Sequence, residues 1–326
     1  MRSLALIAAT CALLGLAGCA SERTDPSLLT FDQSRLPPAD LDLAIPHLGP
    51  CTNNPDRTLH LNSQQPVTVL VHGCRGSTGN FRALAEVMAF NGQQTACFDY
   101  DDRDSLMRSS AQLAASLDSL AGHLRNKQIT VIGHSQGALI SRKALVAERP
   151  DPMQDQEAQL RLVTISGPFS GIASAETCGS PSLLWRIATL GMVKQVCQII
   201  SGDKWFEITS ASDFIRQPGD LRKQVSSYLK IDTDERDACY RNEDGTCRAK
   251  DYTFSLEEQY YPPVDRAQPV KNVEVKAGHV EIVGDQRVAP RKLIAVLQQN
   301  GILNQTETQR SAAFDRLLAR LYSNND

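Results

Sequence analysis

Ser135 stands between two glycines in Gly133-His134-Ser135-Gln136-Gly137, inside a stretch, QITVIGHSQGALI from Gln128 to Ile140, that reads as a short apolar strand turning abruptly into a helix. A serine on so tight a turn has strained backbone, and a Cβ two residues before or after it would crowd the helix and the strand, which glycine avoids. The turn lifts the hydroxyl out of the sheet and aims the Gln136 amide N–H at the space a substrate oxygen would occupy. The chemistry this suits is nucleophilic attack on an acyl carbon, for which the hydroxyl needs a base and the base an orienting acid. Of the six histidines, His279 has the setting of a base, just past a final strand over Lys271–Val275. His72 and His134 sit inside glycine motifs and read as structural; His47, His60 and His123 have no comparable setting. For the acid the reading is Asp213, at the end of an expected strand KWFEITS over Lys204–Ser210. The competing role for Asp213 is a helix N-cap before Phe214, and Asp203, Asp220 and Asp232 are less well placed alternatives.

The elements that must position these residues follow in order. Residues 58–62 alternate as an edge strand, and Pro66–Val71 is a β-branched run of the kind buried in parallel sheets. It ends in His72-Gly73-Cys74-Arg75-Gly76, a glycine-studded loop whose amides can face an oxyanion. A helix over Asn80–Asn91, a strand over Gln94–Asp99 and a helix over Ser105–Asn126 lead to the serine strand, and Leu160–Ser166 is the next strand. The acidic run Asp99, Asp101, Asp102 and Asp104 reads as a solvated loop and helix start rather than a metal site. Alternating strands and helices imply a parallel sheet with right-handed crossovers. Residues 169–200, apolar from Leu183 to Val193, break that pattern and read as a lid over the site or as an ordinary core helix; 231–269 read as a polar insertion. A helix over Val288–Asn300 closes the sheet. The chain thus divides into a leader (1–18), a tether and irregular segment (19–57), one α/β domain (58–303) and a C-terminal helix (304–326).

The formal net charge of −3 on 326 residues offers no basic field for nucleic acid. Arg2 followed by an apolar run over Leu4–Leu16 is a targeting signal too short to span as a mature helix. Its end, Leu16-Ala17-Gly18-Cys19, resembles the bacterial lipobox, which implies cleavage before Cys19, diacylation of that cysteine and membrane anchoring. Ala20 and Ser21 in place of an aspartate favour, by the same resemblance, the outer membrane. Export permits disulfides. Setting Cys11 and Cys19 aside from nine cysteines leaves seven, so one is unpaired or paired elsewhere. Close spacing favours Cys239 with Cys247 and Cys178 with Cys197, and leaves Cys51 with either Cys97 or Cys74; no Cys or His spacing suits zinc.

Taken together, VLVHGCRG at Val69–Gly76, GHSQG at Gly133–Gly137 and AGHV at Ala277–Val280, with SASD at Ser210–Asp213 as a looser fourth, resemble the α/β-hydrolase lipases and esterases over about Pro66–Asn300. The resemblance implies a mostly parallel sheet with helices on both faces, a Ser135–His279–Asp213 triad, and oxyanion donors at the backbone amides of Cys74 and Gln136. It implies a serine-dependent carboxylic ester hydrolase with an acyl ester or lipid substrate and no cofactor. An acyltransferase, thioesterase or peptidase would use the same constellation, and a membrane-anchored binding module would keep the fold without the activity. The motifs do not fix an oligomeric state.

Overall fold

The computed structural model describes residues 36–148, 153–173, 204–243, 246–284 and 288–322. The expected leader, Cys19, Cys178, Cys197 and all but the first five residues of the expected lid lie outside the described residues.

The central sheet has seven strands in the order β2-β5-β4-β6-β7-β8-β11, formed by Leu48–Gly49, Gln94–Phe98, Val67–Val71, Gln128–His134, Gln159–Ile165, Val225–Asp234 and Val270–Lys276. All neighbours pair in parallel except β2, which runs antiparallel along β5 at the edge. A small antiparallel pair, β1 (Leu41–Leu43) with β3 (Leu59–Leu61), lies apart from it, as does a hairpin of β9 (Cys239–Glu243) and β10 (Thr246–Lys250). Side-chain alternation along the strands divides the core in two. Val67, Val69 and Val71 of β4 and Ile129 and Val131 of β6 join one cluster with Leu113, Leu117 and Leu120 of α2 (Leu106–His123) and Leu139 of α3 (Gln136–Ala144). Leu70, Ile132 and Val163 face the other way, onto α1 (Arg82–Phe90), α6 (Arg291–Gln299) and α7 (Ser311–Leu321). This is the α/β-hydrolase architecture, helices on both faces of a mostly parallel sheet.

Three expectations need correction. The N-terminal segment expected to be irregular up to residue 57 contributes β1 and the edge strand β2, and the Cys51–Cys97 disulfide ties it to β5, the strand next to that edge. KWFEITS is not a strand: Lys204–Glu207 form a single helical turn, α4, followed by another, α5, over Asp213–Arg216. Tertiary contacts override the β-branched and aromatic composition there. The Glu207 carboxylate caps the N-terminus of α2, accepting Ser105 Oγ at 2.7 Å and the Leu106 amide. Finally, residues 231–234, expected to open a polar insertion, are the end of β8. Their polarity is disguised burial: Lys230 is fully buried, with Nζ 2.6 Å from Asp232 Oδ1 and 2.9 Å from Asp265 Oδ1. Burial pushes the Asp232 carboxyl up to about 6 despite the Lys230 charge beside it.

Candidate active site

Ser135 occupies the position just before α3 with φ 57° and ψ −123°, a left-handed conformation that a serine adopts only when its surroundings hold it there. The two flanking glycines are required sterically. A Cβ on Gly133 would lie 2.2 Å from the Gly137 carbonyl oxygen, and one on Gly137 would lie 2.3 Å from that of Val71. The elbow is pinned by the Ser135 amide donating to Ile165 O at 2.8 Å.

The hydroxyl of Ser135 lies 3.0 Å from His279 Nε2, and His279 Nδ1 lies 2.8 Å from Glu235 Oε1. A carboxylate cannot donate, so Nδ1 carries the proton and Nε2 is left as the acceptor for the serine O–H. All three residues are buried, Glu235 to 1% exposure. Each sits just past the C-terminal end of a parallel strand: Ser135 after β6, Glu235 after β8 and His279 three residues beyond β11. That edge is where open α/β sheets present ligand sites.

Asp213, the acid expected from the sequence, does not reach the imidazole. It is exposed at the start of α5, where Ser212 is the N-cap and the Asp213 carboxylate accepts only Gln217 Nε2 at 3.2 Å among the described residues. The strand that follows β7 is β8, not Lys204–Ser210, and the acid at its C-terminal end is Glu235. Asp232 pairs with Lys230, Asp220 is exposed, and Asp203 lies outside the described residues.

The Glu235 carboxylate accepts from four donors. Oε1 accepts Thr233 Oγ1 at 3.0 Å besides the imidazole, and Oε2 accepts the amides of Thr253 and, at 2.9 Å, Phe254. The β9–β10 hairpin, closed by Cys239–Cys247, leaves the sheet after Glu235 and returns at Asp251. Asp251 then clamps the histidine loop. Its carbonyl accepts the His279 amide at 3.2 Å, Oδ1 accepts the Val280 amide at 2.9 Å and Oδ2 accepts the Glu281 amide at 2.9 Å. Gly278 must be glycine, since a Cβ there would lie 2.1 Å from Asp251 Oδ2. His134 completes the support, with Nε2 2.9 Å from the His279 carbonyl. Burial, reinforced by the neighbouring His279 imidazole, which disfavours a second positive charge beside it, holds the His134 imidazole well below the ordinary histidine value, so it is neutral and donates from Nε2. Phe254 packs edge-on to the His279 ring, with centroids 4.9 Å apart.

The glycine loop after β4 lies against the serine: a Cβ on Gly73 would be 2.9 Å from Ser135 Cβ. Among the described residues neither the Cys74 nor the Gln136 amide is taken by a protein acceptor. Cys97, not Cys74, pairs with Cys51, leaving Cys74 a free, exposed thiol. His47, His60 and His123 make local contacts away from these residues, with Asp99 O, Asp42 Oδ1 and Ser119 O. No helix of the described residues is long and apolar enough to cross a membrane.

The fold and the elbow place the chain in the α/β-hydrolase class. Within it, residues 66–244 match the family described as palmitoyl protein thioesterase, and the chain belongs to that family. Among solved structures, the propeptide form of lipase BlEst2 from Bacillus licheniformis is 18% identical with a TM-score of 0.51, over 80% of this chain and 54% of that one. The chain thus spans about half the length of that lipase, with which it shares the fold. A protein from Listeria innocua (12% identity, TM-score 0.46, 75% of this chain and 97% of that one) is more distant. So is a probable hydrolytic enzyme from Pseudomonas aeruginosa (14%, 0.43, 83% and 95%). No curated protein sequence matches the chain.

Proposed function

We propose that this protein is a serine-dependent acyl hydrolase that cleaves fatty acyl thioesters and esters through a Ser135–His279–Glu235 triad. The observation that carries the proposal is the unbroken chain from carboxylate to imidazole to hydroxyl, at 2.8 and 3.0 Å, in a buried site at the strand ends. In the reaction His279 Nε2 takes the Ser135 proton as Oγ attacks the acyl carbon, and Glu235 stabilises the imidazolium that forms. The oxyanion meets the amides of Cys74 and Gln136. The imidazolium then gives its proton to the leaving thiolate or alkoxide, and water, activated by the same histidine, releases the acid from Oγ. Membership of a family described by a palmitoyl thioester substrate favours long acyl chains and a sulfur leaving group. Acyl transfer differs only in the final acceptor, which product analysis with a competing alcohol distinguishes.

The test is turnover of p-nitrophenyl esters of rising chain length and of palmitoyl-coenzyme A by the wild type and by Ser135→Ala. The proposal expects turnover that rises with chain length and falls on the order of 10⁵-fold or more in Ser135→Ala. Hydrolysis retained by that variant would refute it.

The Leu16–Cys19 motif and the leader before it support an exported enzyme anchored through acylated Cys19, in the outer membrane by the residues that follow. The two disulfides among the described residues support an oxidising compartment. Radiolabelled palmitate should enter the wild type and not Cys19→Ala. Equal labelling of both would remove the anchor.

A further inference from the structure

An oxyanion hole built from two amides works only if the two segments that carry them are held in fixed relation, and here they are far apart in the chain. Cys74 lies on the loop after β4, and Gln136 opens α3. Both are tied to one residue of a third segment. The Asp102 carboxylate accepts the amide of Arg75, the residue after Cys74, while the Asp102 carbonyl accepts Gln136 Nε2 at 3.1 Å. Arg75 has φ 58°, a conformation costly for a residue with a Cβ, and the hydrogen bond from its amide holds it there.

A carboxylate so near a developing negative charge would oppose the reaction unless neutralised. Lys204 supplies the counter-charge. It is 3% exposed, and its Nζ lies 3.4 Å from Asp102 Oδ2 and 3.0 Å from Cys74 Sγ. Partial burial works to raise the Asp102 pKa, but the Arg75 amide, the Lys204 charge and the Cys74 thiol outweigh it and keep the carboxyl below the usual range.

We infer that Asp102 and Lys204 are positioning residues for the oxyanion hole, Asp102 fixing the Cys74 and Gln136 amides relative to each other and Lys204 cancelling the charge that this fixing brings in. The inference rests on the proposed serine mechanism. It also gives a role to part of an acidic run that the sequence presents as a solvated loop.

The test compares Asp102→Ala, Lys204→Met and the double variant Asp102→Asn/Lys204→Met. The readouts are kcat, KM and the affinity of an acyl trifluoromethyl ketone, which forms a tetrahedral oxyanion on Ser135. Asp102→Ala should lower kcat and weaken the ketone in parallel, by about 10- to 100-fold, with KM within about twofold. Lys204→Met, which leaves the carboxylate unopposed, should lose more than the double variant. Should Asp102→Ala fold poorly, Gln136→Leu cuts the tether to the Asp102 carbonyl, keeps the amide, and should show the same parallel loss. The inference is overturned if ketone affinity stays at the wild-type value while kcat falls, or if the double variant is worse than Lys204→Met. Fluorophosphonate labelling separates the two levels. Unlabelled wild-type protein would sink the serine mechanism itself, whereas labelled protein with an indifferent Asp102→Ala would sink only this inference.

Discussion

Glu235→Gln replaces one carboxylate oxygen by an amide nitrogen at a position with four donors and 1% exposure, so the consequence can be worked through atom by atom. Glutamine has one oxygen to offer. If that oxygen faces the Thr253 and Phe254 amides, its NH2 faces His279 Nδ1, which must then become an acceptor. The ring proton moves to Nε2, and Nε2 can no longer accept the proton of Ser135. If the oxygen instead faces the imidazole, the NH2 is pressed against two backbone N–H groups, each left unsatisfied at about 1–3 kcal/mol. The first arrangement is therefore favoured, with the wrong tautomer and no anion to stabilise the imidazolium. The expected loss in kcat is about 10³–10⁴-fold, or about 4–5.5 kcal/mol of barrier, with little change in KM. The assay is steady-state hydrolysis of a p-nitrophenyl ester, with thermal unfolding to show that the variant is folded. Asp213→Asn is the control: exposed and bonded only to Gln217 among the described residues, it should stay within about twofold of wild type. A Glu235→Gln enzyme within about tenfold of wild type, or an Asp213→Asn enzyme that falls further, would refute the assignment of the acid.

Asp251→Ala frees the Val280 and Glu281 amides and loosens the loop carrying His279, and should cost about 2–4 kcal/mol in stability by urea unfolding and lower kcat as well. Gly133→Ala meets the Gly137 carbonyl and should give no soluble folded enzyme on expression, or one without turnover. Breaking Cys51–Cys97 with paired alanines opens a loop spanning 46 positions and should lower stability by about 4 kcal/mol, read by urea unfolding. His134, and less strongly His72, is held neutral by burial, so the folded state binds fewer protons than the unfolded state as pH falls below about 6.5. Stability from these groups is therefore present above that pH and declines below it, by up to about 1.4 kcal/mol per pH unit for each group. The unfolding free energy of His134→Gln between pH 7 and 5 should show a shallower decline than wild type; parallel curves would remove His134 as the source.

The elbow was legible because steric necessity writes itself locally: the two glycines flank the serine they serve, and an apolar strand precedes it. His279 was legible for a related reason, standing just beyond a short alternating strand. Glu235 was hidden by β8. That strand carries Lys230 and Asp232 in its interior, and a buried ion pair looks in sequence like a solvated segment. KWFEITS, in contrast, has a strand's composition but is bent into a helical turn by the Glu207 contact with the N-terminus of α2, a contact across 101 positions. Asp251 and Asp102 act through backbone amides, whose positions depend on the fold rather than on any neighbouring residue type. The disulfide Cys239–Cys247 followed from short spacing, while the partner of Cys51 was decided only by the edge pairing of β2 with β5, which brings it to Cys97.

The most direct measurement of the central claim is the intact mass and peptide map of the purified protein after incubation with a fluorophosphonate probe. It would be run beside Ser135→Ala, His279→Ala, Glu235→Gln and Asp213→Asn. An activated Ser135 predicts one adduct, on the peptide containing Ser135, absent from Ser135→Ala, strongly slowed in His279→Ala and Glu235→Gln, and unchanged in Asp213→Asn. An adduct at another residue, or labelling of Glu235→Gln at the wild-type rate, would contradict the triad.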